Sequence, residues 1–506
     1  MYVFAIYSAL CLFFMRRYEA RFINVNNYLL NRSNILAEEY ELSLGGTLIL
    51  NEEEETVNKI LMHWKEKESD EFFNNPQYFN FSKHYFTYKN HIYKSKVYQI
   101  IKRMPKGAAL HLHSSLMLHV DKLIELTYED HLYACYTDDH LDLQFSITVP
   151  ERPCPLEWSL LSELRNASND IELFDSKLKT FFTLYTENED IMNSDINFTW
   201  NRFNKVIHNI KSLIRYRPVR EKFFYKALKS FYDDNIMYIE IRTGLSYLYE
   251  LDGTIHQGLY LAKLYQQVTK KFMEDYPDFV GVKMILTHHR KATLNKIQTA
   301  LELANKLKDE MPEFFAGFDL VGQEDIGKPL FEFYPALFEA KDRINFYFHG
   351  GETDWFGTST DENLIDAILL GSKRVGHAFA LIKHPTLLRE IKEKDIALEV
   401  NVISNVVLSL VQDVRNHPLA SYLALGLPVV LSSDDPGAWD ADPMSHDFYL
   451  AFSGVASKHA DLRMLKQLVI NSIKYSALND KGKTKLFKIF NRKWEKFLKE
   501  VIAMNN

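Results

Sequence analysis

The segment Met104-Pro-Lys-Gly-Ala-Ala-Leu-His-Leu-His113 marks a change in the pattern of the sequence. Its apolar run, residues 108–112, has the length of a buried strand. Seven similar runs follow, at 236–241, 280–286, 315–320, 344–348, 374–377, 396–400 and 428–431. Amphipathic, helix-like segments, such as 294–308, 363–370 and 384–392, lie between most of these runs. Strands that alternate with helices form parallel sheets, so eight such units predict an α/β fold of the (β/α)8 TIM barrel type.

Two regions lie outside this alternation. Residues 21–102 read as mainly helical, with apolar residues at helical spacing from Val57 to Trp64. The gap between the first and second strand-like runs is too long for one crossover, so we expect an insertion at about 121–179. The predicted organisation is a helical region before residue 103, followed by a barrel domain over 103–506 that contains the insertion.

The composition excludes several classes of protein. The 506 residues are 46% hydrophobic and 25% charged, which is ordinary for a globular protein and excludes disordered, collagen-like and low-complexity chains. The 60 basic and 67 acidic residues give a net charge of −7. The chain therefore lacks the basic surplus that would indicate binding to nucleic acid.

The first 15 residues, MYVFAIYSALCLFFM, are an apolar run without a charged side chain. The run is too short to span a bilayer, and its position is typical of a secretory signal peptide. We therefore expect a signal peptide at 1–20, cleavage near Ala20 and a secreted, extracellular protein without a transmembrane span. No basic residue precedes the run, and Arg16 and Arg17 follow it at once. A buried first helix and a short membrane anchor are the alternatives.

Whether the chain is glycosylated and whether its cysteines form a disulfide both depend on its being secreted. Asn-x-Ser/Thr triplets, the acceptors for N-glycosylation, occur at Asn31, Asn80, Asn166 and Asn197. Loss of the leader would remove Cys11 and leave Cys135 and Cys154. In an oxidising compartment these two cysteines are expected to form a disulfide, whereas in the cytosol they would be two unrelated buried thiols.

Polar residues cluster where the strand-like runs end, which is where barrel enzymes have their active sites. These residues are His111, His113, Gly322, His349, Glu352, His377, Asp434 and Asp435. Each one alone is a weak signal, because a strand-end histidine is often only hydrogen-bonded and paired aspartates often form turns. Their placement on one rim of one barrel predicts a functional site.

The same residues fit a site for one metal ion. Alternation along a strand directs His111 and His113 to the same face, into the mouth of the barrel. With His349 and Asp434 they would supply three nitrogens and one oxygen, a set that suits Zn²⁺ and leaves room for water. Glu352 would act as a proton donor, and His377 would hold or deprotonate the water.

Five motifs resemble those of the adenosine deaminases, and more closely those of the secreted adenosine deaminase-related growth factors, also called the adenosine deaminase 2 family. The motifs are MPKG and HLH within 104–113, GFDLVG at 317–322, HGGETDW at 349–355, GHAFAL at 376–381 and SSDDP at 432–436. Further similarity at 403–418 and 461–476 extends the resemblance over nearly the whole chain after the leader.

The resemblance implies a zinc enzyme that hydrolytically deaminates adenosine and 2′-deoxyadenosine to the inosine forms and ammonia. It implies one Zn²⁺ per subunit, held by His111, His113, His349 and Asp434. Glu352 would protonate purine N1, while His377 would orient and deprotonate the attacking water. Further contacts with the nucleoside are implied for Asp435, Gly322, Trp200 and His289.

The resemblance also implies features beyond catalysis. These are a homodimer built through the N-terminal helices and a Cys135–Cys154 bridge within the insertion. The insertion would engage a cell-surface receptor or glycan, and the enzyme would lower extracellular adenosine with growth-factor activity.

One position departs from the family pattern. The secreted branch has an aspartate after the second metal histidine, where it binds ribose, and this chain has Ser114. A hydroxyl can hydrogen-bond a sugar, but without the strength of a charge-assisted bond. We expect turnover to persist, with an altered ribose affinity or nucleoside preference.

Two other functions remain open. One is a growth-factor-like ligand with a silent barrel, which would be expected to lack at least one residue of the catalytic set. The other is a different barrel amidohydrolase, such as an AMP deaminase or a phosphotriesterase. A nucleotide substrate would require a basic pocket, and the sequence does not reveal one.

Overall fold

The computed structural model describes residues 25–75 and 80–504. The predicted signal peptide and Cys11 lie outside these residues. Four helices open the described chain: α1 (Val25–Leu42), α2 (Glu52–Asn74), α3 (Tyr85–Ile92) and α4 (Lys96–Arg103). Helix α2 begins at a capping box, in which the Asn51 side chain accepts from the Glu54 amide at 2.9 Å and the Glu54 carboxylate accepts from the Asn51 amide at 3.0 Å.

The barrel contains eight parallel strands, as predicted. They are β1 (Gly107–His113), β5 (Ile236–Thr243), β8 (Gly281–His289), β9 (Phe315–Val321), β10 (His349–Gly350), β11 (Arg374–His377), β12 (Ala397–Val400) and β13 (Val429–Leu431). They form two four-stranded half-sheets, in the orders β1-β5-β8-β9 and β10-β11-β12-β13. Parallel bridges Leu112–Asp434 and Phe318–Phe346 join the half-sheets, so the barrel has two seams.

The fifth strand differs from the prediction. Residues 344–348 were expected to form it, but the regular strand is only His349–Gly350. Here side chains accept the hydrogen bonds that a neighbouring strand would otherwise accept. The Phe348 amide donates to the Ser372 hydroxyl at 3.1 Å, and the His349 amide donates to Asp319 at 2.9 Å. The segment still lies in the barrel wall, since Phe346 forms a bridge with β9.

Helices surround the barrel and continue to the end of the described chain. Those between the strands are α11 (Tyr260–Asp275), α12 (Leu294–Glu310), α13 (Tyr334–Ala340), α14 (Asn363–Leu369), α15 (Pro385–Glu393), α16 (Val402–Val407) and α17 (Leu419–Ala424). The last three are α18 (Ser445–Tyr449), α19 (Leu462–Lys474) and α20 (Asp480–Ala503). Glu54 of α2 binds Trp494 of α20 at 2.7 Å, so the N-terminal helices are joined to the C-terminal ones.

A separate subdomain lies between β1 and β5. It contains α5 (Val120–Leu126), the antiparallel strands β2 (Leu132–Tyr136), β3 (Leu141–Phe145) and β4 (Ser159–Leu160), and the helices α6 (Leu161–Ala167), α7 (Ile171–Lys179) and α8 (Glu189–Met192). A disulfide joins Cys135 to Cys154, as expected. Two longer helices, α9 (Ile196–Ile214) and α10 (Arg217–Asp233), then lead back to β5. A hairpin of β6 (Leu248–Tyr249) and β7 (Ile255–His256) follows β5.

Helix α1 differs from the other long helices in its exposure. Its apolar side chains lie on the surface, with between 38% and 59% of their area accessible, at Tyr28, Leu29, Leu30, Ile35, Leu36, Tyr40 and Leu42. Over the described residues, no helix has both the length and the apolar character needed to cross a bilayer.

Candidate active site

The four predicted metal ligands meet at the carboxyl ends of the strands. His111 and His113 lie at the end of β1, His349 begins β10, and Asp434 follows β13. His111 Nε2 lies 3.1 Å from His349 Nε2, and Asp434 Oδ1 lies 3.2 Å from His113 Nε2. One ligand atom from each residue lies within 4.8 Å of the others, so the group could hold a single metal ion.

Hydrogen bonds behind the ligands show that a cation fits this group. His111 Nδ1 lies 2.7 Å from Glu399 and His349 Nδ1 lies 2.6 Å from Asp319. Because carboxylates accept, the tautomer that suits each ring carries its hydrogen on Nδ1 and presents a bare Nε2. Two bare nitrogens facing each other at 3.1 Å repel unless a cation lies between them. This pattern of carboxylate, histidine and metal is usual in metal centres.

An ion-pair network supports these carboxylates. Arg242 donates to Asp319 at 2.8 Å and to Glu399 at 2.6 Å, so one guanidinium contacts the partners of both histidines. Arg374 donates to Glu399 and, at 2.6 Å, to Glu240. Burial alone would raise the pKa of Glu399, but Arg242 and Arg374 hold it well below its usual value. The carboxylate therefore stays charged behind its histidine.

The sequence reasoning missed these supporting residues. Asp319 and Glu399 each lie inside a run that was interpreted only as a buried apolar strand. A charged residue within such a run is the signal that could have identified them, because a buried carboxylate needs a partner.

The predicted proton-transfer residues lie beside the metal ligands. His377 Nδ1 is 3.3 Å from Glu352, and His377 Nε2 is 3.8 Å from Asp434. Burial, then Asp434 and Glu324, raise the pKa of Glu352 well above its usual value. Burial likewise raises the pKa of Asp435, with further contributions from Asp434 and Glu352. Both shifts favour the protonated carboxyl form, which can donate a hydrogen bond.

The backbone is strained at two of these residues. His377 has φ 59° and Asp434 has φ 58°, both in the left-handed region that non-glycine residues rarely adopt. Such strain persists where the surrounding structure enforces it, commonly at functional sites. Ser404 donates to Asp434 at 2.8 Å and thereby helps to fix this carboxylate.

A cavity of about 690 Å³ opens above the ligands. Its lining includes all five predicted substrate-binding residues, Ser114, Trp200, His289, Gly322 and Asp435. Gly322 has φ +103°, and a Cβ there would lie 2.6 Å from the His289 ring, so only glycine allows this approach. The structure thus brings together every catalytic, metal and substrate residue that the sequence indicated.

The predicted glycosylation acceptors differ in their exposure. Asn31, Asn166 and Asn197 are exposed and Asn80 is half-buried. The Asn197 side chain already accepts from Gln323 at 2.8 Å.

The barrel and its ligand cluster define the class of metal-dependent barrel hydrolases. Comparisons with known proteins are consistent with that class. The family model described as adenosine deaminase matches residues 174–492, and that described as adenosine/AMP deaminase N-terminal matches 9–101. The chain belongs to the adenosine deaminase family.

Several relatives match almost the full length. An "Adenosine deaminase" of Aedes albopictus is 42% identical over 92% of this chain and 87% of the relative. The "Adenosine deaminase 2" of Homo sapiens is 41% identical, with 93% of both chains covered. Among solved structures, an Arabidopsis N6-mAMP deaminase has a TM-score of 0.56 at 19% identity, covering 78% of this chain and 99% of that chain. This last similarity concerns the fold alone.

Proposed function

We propose that this chain catalyses the hydrolytic deamination of adenosine and 2′-deoxyadenosine, producing inosine or 2′-deoxyinosine and ammonia. One observation carries the proposal: His111, His113, His349 and Asp434 meet beside Glu352 and His377 at a cavity large enough for a nucleoside. The names of the mosquito and human relatives support the choice of adenosine.

The ligand set suits zinc. Three imidazole nitrogens and a carboxylate oxygen are typical zinc ligands, and a structure similar in fold, an amidohydrolase with TM-score 0.54, has zinc bound. When bound, zinc lowers the pKa of a water molecule so that hydroxide is available near neutral pH.

The side chains around the metal ligands transfer protons and bind the nucleoside. His377 orients the attacking water and accepts its proton, while Glu352 donates a proton to purine N1. Asp435, in its protonated form, donates to N7. The Gly322 backbone contacts N3, and Ser114, Trp200 and His289 form the rest of the nucleoside-binding surface, as their positions in the cavity wall suggest.

The test is the loss of adenosine absorbance with purified protein, before and after chelation and after zinc is restored. Glu352→Gln should lower kcat by about 100-fold or more, because general acid catalysis commonly contributes that much. Its zinc content should be unchanged. The matched control is Glu362→Gln, the same substitution at the N-terminus of α14. Activity that survives complete metal removal would refute the mechanism.

We further propose a homodimer formed through the N-terminal helical region, 21–102, with the barrel domain at 103–506. The support is the exposed apolar surface of α1, which is of the kind that marks interaction sites. Light scattering should give a dimer mass, and Leu29→Glu with Leu36→Glu should give monomers. Monomeric wild type at micromolar concentration would contradict this assignment.

We also propose that the protein is secreted, glycosylated and able to contact a receptor or glycan through the insertion at about 121–179. The Cys135–Cys154 disulfide supports an oxidising compartment. Exposed Ile147, Val149 and Leu156 support a contact surface on the insertion. Expression in insect cells, with analysis of the medium before and after glycosidase treatment, tests secretion and glycosylation.

A further inference from the structure

The cavity is lined by carboxyl groups beside the metal ligands, which we call the metal end, and by basic side chains near α9, α10 and α12, which we call the cationic end. Its acidic lining residues are Glu352, Asp434 and Asp435, all beside the metal ligands. Lys211, Arg215, Arg220 and Lys296 also line it. Among the described residues, none of these four cations has a carboxylate within 4.0 Å, so the cavity contains a group of positive charges without anionic partners.

Arg220 is the most informative of these cations. Only 3% of its surface is exposed, and over the described residues its side chain makes one hydrogen bond, from Nη1 to the Tyr265 hydroxyl at 3.1 Å. Its Nε, like that of Arg215, is buried and has no acceptor in the part of the chain that the structure describes. A buried charge without a partner destabilises a protein, so its presence in a cavity wall indicates that an anion completes it.

Three of these cations, Lys211, Arg215 and Arg220, lie where α9 ends and α10 begins. Burial lowers the pKa of Lys211, and Arg220 and Arg215 lower it further. Lys211 is in the last turn of α9, and Arg220 is in the first turn of α10. The positive end of the α10 dipole therefore adds to the charge of Arg220 instead of opposing it.

The cationic group is also close to the predicted nucleoside position. The Tyr265 hydroxyl donates to Ser114 Oγ at 3.3 Å, so Arg220 is joined through two hydrogen bonds to the residue after His113. Lys211 lines the same cavity as Asp435 and His289, two of the predicted nucleoside contacts. Ser114 is neutral, so no carboxylate at that position opposes an incoming anion.

We propose that the cavity binds adenosine carrying a 5′-phosphate group, with the adenine ring at the metal end and the phosphate at Lys211, Arg215 and Arg220. The inference rests on the proposed function, because deamination requires the amino group of adenine at the metal ligands. The ribose then extends away from them, and its 5′ substituent reaches the cationic end.

The reaction is unchanged by the phosphate. Water adds its oxygen to C6, the amino nitrogen leaves as ammonia with the transferred protons, and the phosphate ester is not broken. The product is therefore inosine 5′-monophosphate, which chromatography separates from inosine.

The first experiment compares kcat/KM for 5′-AMP, 3′-AMP and adenosine with the zinc-loaded enzyme. We expect 5′-AMP to exceed both others by about tenfold or more, since a charge-assisted hydrogen bond contributes about 1.5–3 kcal/mol. Arg220→Met and Lys211→Met should each lower kcat/KM for 5′-AMP by about tenfold, and that for adenosine by less than about threefold. The matched control is Lys229→Met, which removes one exposed positive charge at the far end of α10.

The outcomes separate the two proposals. Deamination of adenosine without faster turnover of 5′-AMP, or turnover of 5′-AMP that both substitutions leave unchanged, overturns the phosphate site and leaves the proposed function intact. Failure to deaminate any of the three overturns the proposed function.

The phosphate site has a second test that needs no turnover. Inorganic phosphate should raise the Tm of the wild type and of Lys229→Met, but not that of Arg220→Met, because a ligand stabilises the state that binds it. Equal shifts in all three proteins, or no shift in the wild type, overturn the site. Arg220→Met should itself fold, since it removes an uncompensated buried charge.

Discussion

Arg242 and Arg220 line the same cavity and are almost equally buried, but their surroundings are opposite. The Arg242 side chain donates to two carboxylates and two backbone carbonyls, whereas the Arg220 side chain donates, among the described residues, to a single tyrosine hydroxyl. Burial lowers the pKa of both, but Glu399 and Asp319 raise that of Arg242 above its usual value, and that of Arg220 stays lowered. The first arginine is part of the protein's own framework, and the second has a charge that a ligand can use.

The comparison distinguishes the two ends of the site. At the metal end, the residues behind the ligands neutralise one another, which fixes side-chain positions in the absence of substrate. At the cationic end, the charges are left for the substrate to neutralise. Stability and substrate preference should therefore respond to different arginines.

The largest expected effect is on stability. Arg242→Met should lower the free energy of unfolding by about 3–5 kcal/mol, because it leaves Asp319 and Glu399 buried with one cation fewer. Arg220→Met should lower it little or raise it. Urea unfolding of both metal-free variants provides the measurement. Equal losses of unfolding free energy in the two variants would show that Arg242 does not stabilise the protein more than Arg220 does.

The second prediction concerns metal affinity. Glu399→Gln should raise the metal dissociation constant about 10–100-fold, because the partner of a ligating histidine orients it and increases its basicity. Competition with a chromophoric chelator measures this constant. Glu240→Gln is the matched control, since Glu240 is equally buried and pairs with Arg374 but contacts no metal histidine. An equal effect of both substitutions would refute the role of Glu399.

The third prediction concerns a substitution that would introduce an acidic partner for the basic residues at the cationic end. Ser114→Asp places a carboxylate beside Tyr265, within the reach of the charge on Arg220. It should lower KM for adenosine, through a charged acceptor for ribose, and should lower kcat/KM for 5′-AMP by about tenfold. Steady-state kinetics on the two substrates measures both effects. An unchanged KM for adenosine would show that Ser114 does not influence ribose binding.

The smallest expected effect concerns a buried base outside the cavity. Burial lowers the pKa of His446 to about 4, and its Nδ1 accepts from the Tyr85 hydroxyl at 2.9 Å and from the Asp442 amide at 3.1 Å. Like Arg220, it has a nitrogen that is buried without a partner, in this case Nε2. Unlike arginine, histidine can give up its proton to avoid a buried charge.

The sign of its pH dependence follows from this shift. Between the folded pKa near 4 and the unfolded pKa near 6.5, the unfolded state binds more protons, so stability falls as pH falls. The contribution is about 1 kcal/mol between pH 6.5 and 5.5. His446→Gln should lose that much less stability than wild type over this range, as measured by urea unfolding. His459→Gln, at an exposed histidine, should behave as wild type.

The sequence was sufficient to predict most of the barrel and the reacting groups. Strand lengths, helical spacing and strand-end histidines are local signals, and the predicted runs at 108–112, 236–241 and 374–377 match strands of the structure. The predicted position of the fifth strand was wrong because the Ser372 and Asp319 side chains accept hydrogen bonds from its backbone amides. Such contacts between residues distant in sequence leave no periodic pattern that could be used to predict them.

The charge distribution of the cavity could not be predicted in the same way. Lys211 and Arg220 occur in sequence as ordinary basic residues of amphipathic helices, which usually lie in solvent. Only the tertiary structure shows that the junction of α9 and α10 faces the cavity and that, within residues 25–75 and 80–504, no acidic partner lies there. The sequence was therefore sufficient to predict the deamination reaction but not the phosphate group of the proposed substrate.

The two seams of the barrel have a consequence for how the protein moves. His111 and His113 belong to one half-sheet and His349 to the other, while Asp434 follows β13 of the second half-sheet and bridges to Leu112 of the first. An ion bound by all four residues would act as a cross-link between the halves, much as a disulfide joins two strands. Local opening of the metal-free protein should begin at these seams, and hydrogen exchange of the amides there should slow when metal binds. The exchange rates of these backbone amides would then report whether the metal is bound, without any substrate.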